Sequence, residues 1–243
     1  MMGIEWRSNM SDRMEQGSWR NLAGGVLTLC LTLTGCGGGA EPPDNYGIGS
    51  DALPALTKLV ALDLNKPFFT FPTIASTCAS CTSLGIVYHP DGSLREYSFS
   101  KIPPNHIFID TEIIANAPVR YLWAGMGDTM AKHYECTISS RNDTPAHSDA
   151  MGIALSSMCA APILRWGKQA MADCEANRVT EELTEIILAI IVSTGFVSNF
   201  VQVDYTTGMA HAMYNGFTVL PSQSNFLFAR SDRIGGGELL AIG

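Results

Sequence analysis

Asp128, His211 and one cysteine pair are the side chains in this sequence with the clearest chemical potential. Asp128 follows Gly125-Met126-Gly127, a setting typical of a helix N-cap, and His211 lies among alanines and methionines. Carboxylate and imidazole groups are common zinc ligands, but their spacing alone favours an N-cap and a core histidine. Cys78 and Cys81 form a CxxC motif, which can be a redox pair or half of a zinc site. Without a second CxxC, two unremarkable thiols are the simpler interpretation.

The composition favours a globular protein that handles a small molecule. Of the 243 residues, 46% are hydrophobic and 16% charged, and the formal net charge is −8. A nucleic-acid partner is not expected, because phosphates require a basic surface and no lysine or arginine cluster is present. The odd number of cysteines, seven, does not suggest a disulfide framework. Reduced thiols in the cytoplasm are expected.

One N-terminal pattern suggests a different location. Arg13 and Arg20 precede an apolar run, Leu22 to Leu33, which is soon followed by Cys36. This order resembles a bacterial lipoprotein signal, and the run is too short for a transmembrane helix. A lipid anchor at Cys36 is therefore the minority alternative to a cytoplasmic protein without a membrane partner.

The chain is predicted to be α/β in its first half and helical in its second. Residues 1–52 lack sustained periodicity, whereas residues 67–72 and 106–110 are typical of buried strands. Two strand-like runs flank Pro90-Asp91-Gly92 and predict a hairpin. The helical pattern predicts four helices, and Ile186 to Val192, apolar on all sides, should lie in the centre of a bundle. The predicted helices cover residues 119–138, 147–176, 180–200 and 206–217.

Several separate segments together resemble the glycerol dehydrogenases of the iron- and zinc-dependent alcohol dehydrogenase superfamily. They are Phe71–Thr77, Ile107–Thr111, Ala117–Asp128 and Gly208–Gly216. The resemblance implies a Rossmann-like NAD-binding domain, here partial, followed by a helical-bundle domain that binds a metal. The corresponding boundaries are an atypical segment 1–52, the partial NAD-binding domain 53–117, the helical domain 118–221 and an atypical tail 222–243.

The resemblance also implies an activity and a site. The activity is NAD-linked oxidation of a small polyol, glycerol to dihydroxyacetone, in a homo-oligomeric enzyme. Asp128 and His211 would hold zinc or iron, and Cys78 would face the substrate. The residues implied on the cofactor side are Gly37, Gly38, Gly39, Thr73, Ser76, Thr82, Leu84 and Tyr88.

Three departures from the family pattern bear on that activity. No histidine follows His211, where the family has its third ligand, and Asp232 or Glu238 would have to substitute. The glycine triplet Gly37–Gly39 is followed by Ala-Glu-Pro-Pro, which cannot continue as a phosphate-binding helix. Cys78 stands where the family has an aspartate. These departures suggest a truncated or frame-shifted gene, and the alternative function is an inactive fragment that acts as a binding module.

Overall fold

A parallel sheet forms the α/β part of the protein. The computed structural model describes residues 3–7, 58, 61, 66–88, 94–100 and 102–218. Strand β1 (Gly3–Arg7) pairs in parallel with β5 (His106–Asp110), and β2 (Phe69–Thr70) pairs with the other edge of β5. The segment 1–52, which shows no periodicity, thus contributes a strand. The strand expected over residues 67–72 shortens to two residues, since the prolines at its ends have no N–H for the ladder.

The predicted hairpin is present. Strand β3 (Leu84–Tyr88) pairs antiparallel with β4 (Leu94–Phe99), with a register shift between Val87 and Tyr88. Strand β5 then runs directly into the short helix α1 (Thr111–Ala115), whose N-cap is Asp110. The Asp110 carboxylate accepts hydrogen bonds from the backbone amides of Glu112 and Ile113, which satisfies two of the donors left free at a helix start.

The helical part follows Pro118. Helix α2 (Val119–Ser139) and helix α5 (Glu181–Phe200) agree with the expected lengths. The single helix expected over residues 147–176 is instead two, α3 (His147–Leu155) and α4 (Ser157–Glu175), which meet at Ser156. The Ser156 hydroxyl donates to the Ile153 carbonyl and competes with the helical ladder there. The helix expected over residues 206–217 is α6 (Val203–Thr206) followed by α7 (Met209–Thr218).

Helix α5 lies in the centre of the core, as its apolar circumference predicts. Ile186, Ile187, Ile190 and Ile191 are fully buried in a cluster that includes α2 and α4. The same length and composition would allow this helix to cross a membrane, but its buried isoleucines are those of a core helix. The helix contains a π-helical turn, Ala189–Ser193, where the Thr194 hydroxyl donates to the Ala189 carbonyl at 2.9 Å.

A buried carboxylate joins α4 to α5. Asp173 accepts hydrogen bonds from Gln169, from the Arg178 guanidinium and from the hydroxyl of Thr180, which is itself the N-cap of α5. These hydrogen bonds hold the pKa of Asp173 below its ordinary value, and the bond from Arg178 has the largest effect. Burial acts in the opposite direction but is outweighed. Asn177, with φ of 50°, reverses the chain between the two helices in the left-handed region that asparagine tolerates.

Candidate metal and substrate site

Helix α2 presents three charged side chains on one face. Asp128, Lys132 and Glu135 are spaced by four and three residues, so their side chains lie one above another along the helix. The interpretation of Asp128 as an N-cap is wrong, because Asp128 lies in the middle of α2. Lys132 and Glu135 are buried on this face, and buried charges require partners, which come from the segment around α7.

His211, on the first turn of α7, meets this face. Its Nε2 lies 3.5 Å from Oδ1 of Asp128, and the two side chains are only 19% and 13% exposed. Tetrahedral zinc binds imidazole nitrogen and carboxylate oxygen at about 2.0–2.2 Å, which places two such ligand atoms roughly 3.3–3.5 Å apart. The two residues that the resemblance implies as metal ligands are therefore brought together at the spacing that a shared metal requires.

Glu135 completes the surroundings of His211. Its Oε2 lies 2.7 Å from the ring Nδ1, and its Oε1 accepts a hydrogen bond from the His211 backbone amide at 3.2 Å. Burial raises the pKa of Glu135, but the hydrogen bonds from His211 and the charge of Lys132 outweigh it, and the pKa is lower than usual. Glu135 is thus held as a carboxylate.

Lys132 supplies the buried positive charge. Its ammonium donates to the Thr206 carbonyl at 3.2 Å, and the residue is almost completely buried. Burial lowers the pKa of Lys132, but the charges of Asp128, Cys78 and Glu135 raise it, with a net increase. The Lys132 ammonium offsets one of the two carboxylate charges of this face.

The loop between β2 and β3 approaches the same region and carries Cys78. Cys78 and Cys81 form a turn, in which the Cys81 amide donates to the Cys78 carbonyl at 2.8 Å. Asn199 of α5 holds the loop by two bonds, since its amide group donates to the Cys81 carbonyl and its oxygen accepts from the Ser83 amide. The Cys78 thiol lies 3.8 Å from the Ser198 hydroxyl.

Two glycines allow the helices to pack directly against this loop. A Cβ at Gly125 of α2 would lie 2.3 Å from the Ala75 carbonyl oxygen, and one at Gly195 of α5 would lie 2.5 Å from the Cys81 side chain. The loop is therefore wedged between two helices. Burial in this position raises the pKa of the Cys81 thiol to about 12, so Cys81 is an inert, structural thiol.

The residues implied on the cofactor side lie in or next to this loop where the structure describes them. Thr73 is half-buried, Ser76 and Thr82 are buried, and the Thr82 hydroxyl donates to the Leu84 carbonyl. The side chain of Tyr88 and the whole of Gly37–Gly39 lie outside the described residues, as do Cys36, Asp232 and Glu238. The cofactor-binding and catalytic roles stay predictions.

The described residues supply only part of the ligand set that a metal ion would need. Asp128 and His211 provide two ligand atoms, and among the described residues no group of three histidine, cysteine, aspartate or glutamate side chains could hold a metal. A catalytic zinc normally has three protein ligands and one open position. A metal held by Asp128 and His211 would need a third ligand from another part of the chain or from another subunit.

Sequence reasoning missed Glu135, Lys132 and Asn199. Glu135 and Lys132 could have been recognised, since charged residues at intervals of four and three share one helix face with Asp128. Nothing in the sequence marked Asn199 as a contact residue, because a polar residue near a helix end is common. Its hydrogen-bond partners lie more than a hundred residues earlier in the chain.

Comparison with known proteins finds glycerol dehydrogenases, although no protein-family model matches. A glycerol dehydrogenase of Thermotoga maritima is 35% identical over 203 residues, which are 81% of this chain and 52% of that protein. Hydroxycarboxylate dehydrogenase A of Escherichia coli K12 is 34% identical over 182 residues, 74% of this chain and 50% of the relative. This chain thus spans about half the length of the curated relatives it matches.

Solved structures agree with the sequence relatives. The probable glycerol dehydrogenase of Sinorhizobium meliloti 1021 superimposes with a TM-score of 0.67 at 29% identity, covering 81% of this chain and 53% of that one. Iron-containing alcohol dehydrogenases at 20% and 19% identity share the fold alone, with TM-scores of 0.52 and 0.51.

Proposed function

Because the chain belongs to the glycerol dehydrogenase family, we propose that it takes part in NAD-linked, metal-dependent oxidation of a small polyol, glycerol to dihydroxyacetone. The observation that carries the proposal is the 3.5 Å separation of Asp128 Oδ1 and His211 Nε2. A largely buried carboxylate and imidazole at that spacing suit a shared cation better than they suit a direct hydrogen bond, which would be shorter.

The chain's own residues have distinct roles in this proposal. Asp128 and His211 hold zinc or iron, while Lys132 compensates the negative charge of the face between Asp128 and Glu135. The metal, when bound, supplies a Lewis acid that lowers the pKa of a hydroxyl group, and NAD supplies the hydride acceptor. Cys78, on the loop wedged between α2 and α5, lines the substrate side.

Metal binding is the first test, because it does not require catalysis. We expect the purified protein to bind zinc, and we expect Asp128→Asn and His211→Ala to lose most of that affinity in a chelator competition assay. The matched controls are Asp204→Asn and His147→Ala, which change exposed residues in the first turns of α6 and α3. Equal affinity in all five proteins would refute the metal site.

Activity is the second test. NADH formation from glycerol, measured by absorbance in the presence of zinc, should depend on His211 and be unaffected by His147→Ala. A hydroxycarboxylate belongs in the same substrate panel, because one relative bears that substrate class in its name. Zinc binding without oxidation of either substrate, in protein that circular dichroism shows to be folded, would indicate a binding module that has kept the family's metal site.

Location and assembly complete the proposal. We place the protein in the cytoplasm as a homo-oligomer, and a second subunit is one source of the ligand that the described residues do not supply. Light scattering measures the assembly, and a monodisperse monomer would contradict it. The minority alternative, a lipid anchor at Cys36, predicts that Cys36→Ser moves the protein from the membrane to the soluble fraction.

A further inference from the structure

One carboxylate contacts both the main chain and the ring of His211. Glu135 Oε1 accepts from the His211 backbone amide at 3.2 Å, and Oε2 lies 2.7 Å from the ring Nδ1. The amide belongs to the third residue of α7, and the first amides of a helix have no partner within it. Glu135 therefore serves as an N-terminal cap from another helix while it contacts the imidazole of the residue that it caps.

The contact to the ring determines which nitrogen carries the proton. A carboxylate only accepts hydrogen bonds, so Nδ1 must be the protonated nitrogen at 2.7 Å from Oε2. In a neutral imidazole this leaves the lone pair on Nε2. Nε2 is the atom that faces Asp128 Oδ1 at 3.5 Å. The tautomer that Glu135 selects is therefore the one in which His211 can bind a metal shared with Asp128.

The chain makes room for this arrangement at Gly208. A Cβ at Gly208 would lie 3.0 Å from Glu135 Cγ and 3.2 Å from Oε1. The Gly208 carbonyl accepts the Ala212 amide at 3.0 Å, so this residue lies directly at the start of α7. Its lack of a side chain allows the Glu135 carboxylate to reach beneath the helix end to both donors of His211.

We propose that Glu135 is a positioning residue that fixes the tautomer and the orientation of His211 for metal binding. The inference rests on the proposed metal site at Asp128 and His211. Partners that orient metal-binding histidines in this way typically change metal affinity about 10–100-fold when they are removed. In this proposal Glu135 acts through His211 and is not itself a metal ligand.

The test variant is Glu135→Gln, which keeps the size of the side chain. In the wild type each Glu135 oxygen contacts one His211 nitrogen, whereas the amide of Gln has an NH2 donor in place of one oxygen and cannot reproduce both contacts. We expect nitrogen NMR of the metal-free protein to show His211 with its proton on Nδ1 in the wild type. In Glu135→Gln, a population with the proton on Nε2 should appear.

The metal readout uses chelator competition with zinc alone. Glu135→Gln should weaken zinc binding roughly 10–100-fold, whereas Glu175→Gln, an exposed residue at the end of α4, should leave it unchanged. Gly208→Ala is the second variant, because it displaces the Glu135 carboxylate without removing its charge, and it should weaken binding in the same direction.

The outcomes separate the two proposals. If His211 keeps its proton on Nδ1 in Glu135→Gln and zinc affinity is unchanged, Glu135 is not a positioning residue. If wild type and Asp128→Asn bind zinc equally, the proposed metal site is wrong. The NMR spectra of the metal-free proteins would still decide whether Glu135 sets the tautomer of His211.

Discussion

A methyl group at Gly125 should destabilise the protein, and the size of the effect follows from one contact. The Cβ of Gly125→Ala would lie 2.3 Å from the Ala75 carbonyl oxygen and 3.0 Å from Ile190 Cδ1. An ordinary contact begins near 3.4 Å, so backbone atoms of the loop and of α2 must separate by about 1 Å. A carbonyl oxygen in a wedged loop cannot rotate away as a flexible side chain can.

The magnitude is the difference between two opposing effects. Overpacking in a core typically costs about 1–3 kcal/mol, and we take the upper end because the clash is with backbone. Replacing a helical glycine by alanine returns about 1 kcal/mol through helix propensity. The net expectation for Gly125→Ala is a loss of about 2 kcal/mol in the free energy of unfolding.

Gly167→Ala is the matched control. Gly167 is buried in α4, and its added Cβ would meet only Ile163 Cγ2 and Met126 Sδ, each at 3.3 Å. Both distances are only slightly shorter than an ordinary contact, and the Met126 side chain is adaptable, so the propensity gain should make this variant equal to or up to about 1 kcal/mol more stable than wild type. Urea unfolding, followed by circular dichroism, measures both variants. If the two variants had equal free energies of unfolding, the direct packing of α2 on the loop would be refuted.

Three further outcomes are expected from buried polar groups. Asp173→Asn should lose about 2 kcal/mol at neutral pH, because it weakens the charged hydrogen bonds from Arg178. Since the folded pKa of Asp173 is lowered, its contribution is present above the unfolded pKa of about 3.9 and is lost as pH falls through the folded pKa. Acid titrations of unfolding should therefore be flatter in the variant, and parallel curves would contradict this account. Lys58→Met should lower the free energy of unfolding by about 2–3 kcal/mol, because the buried Lys58 ammonium donates hydrogen bonds to the Ala79 and Leu84 carbonyls at 2.7 and 2.6 Å. An unchanged midpoint in urea would contradict a stabilising role of these two bonds. Because burial raises the pKa of Cys81 to about 12, this thiol should resist iodoacetamide in the native protein at pH 8 and react after unfolding. Mass spectrometry measures the labelling, and rapid labelling of the native protein would show that Cys81 is not buried.

The helices were predictable because their signals are local. The apolar circumference of α5 marked it as a core helix, and its isoleucines are fully buried. The hairpin β3–β4 followed from two strand-like runs around Pro90-Asp91-Gly92. Breaks within helices were harder, because Ser156 ends α3 through a side-chain bond that competes with the helix and that periodicity does not reveal.

The site was only partly predictable because its contacts join distant parts of the chain. The glycines before Asp128 suggested a helix start, whereas Gly125 is a mid-helix residue required for close approach to Ala75. Family resemblance predicted Asp128 and His211 as a pair, and these residues, 83 positions apart in the sequence, lie 3.5 Å apart in the structure. Glu135 was not recognised, because a glutamate on a helix is usually solvated and its buried partners become visible only in the folded chain.

The position of His211 depends on how α7 is held against α2. Glu135 bonds the first turn of α7, and Lys132 bonds the Thr206 carbonyl just before it, so two charged residues of α2 fix the same short segment. A metal bound to both Asp128 and His211 would link the same two elements again. If the proposed metal site exists, metal binding and docking of α7 are thermodynamically coupled: loosening the docking weakens the metal site, and bound metal stabilises the docked segment. Through this coupling Glu135 and Gly208, which the proposal does not place among the metal ligands, are expected to affect how tightly a metal binds.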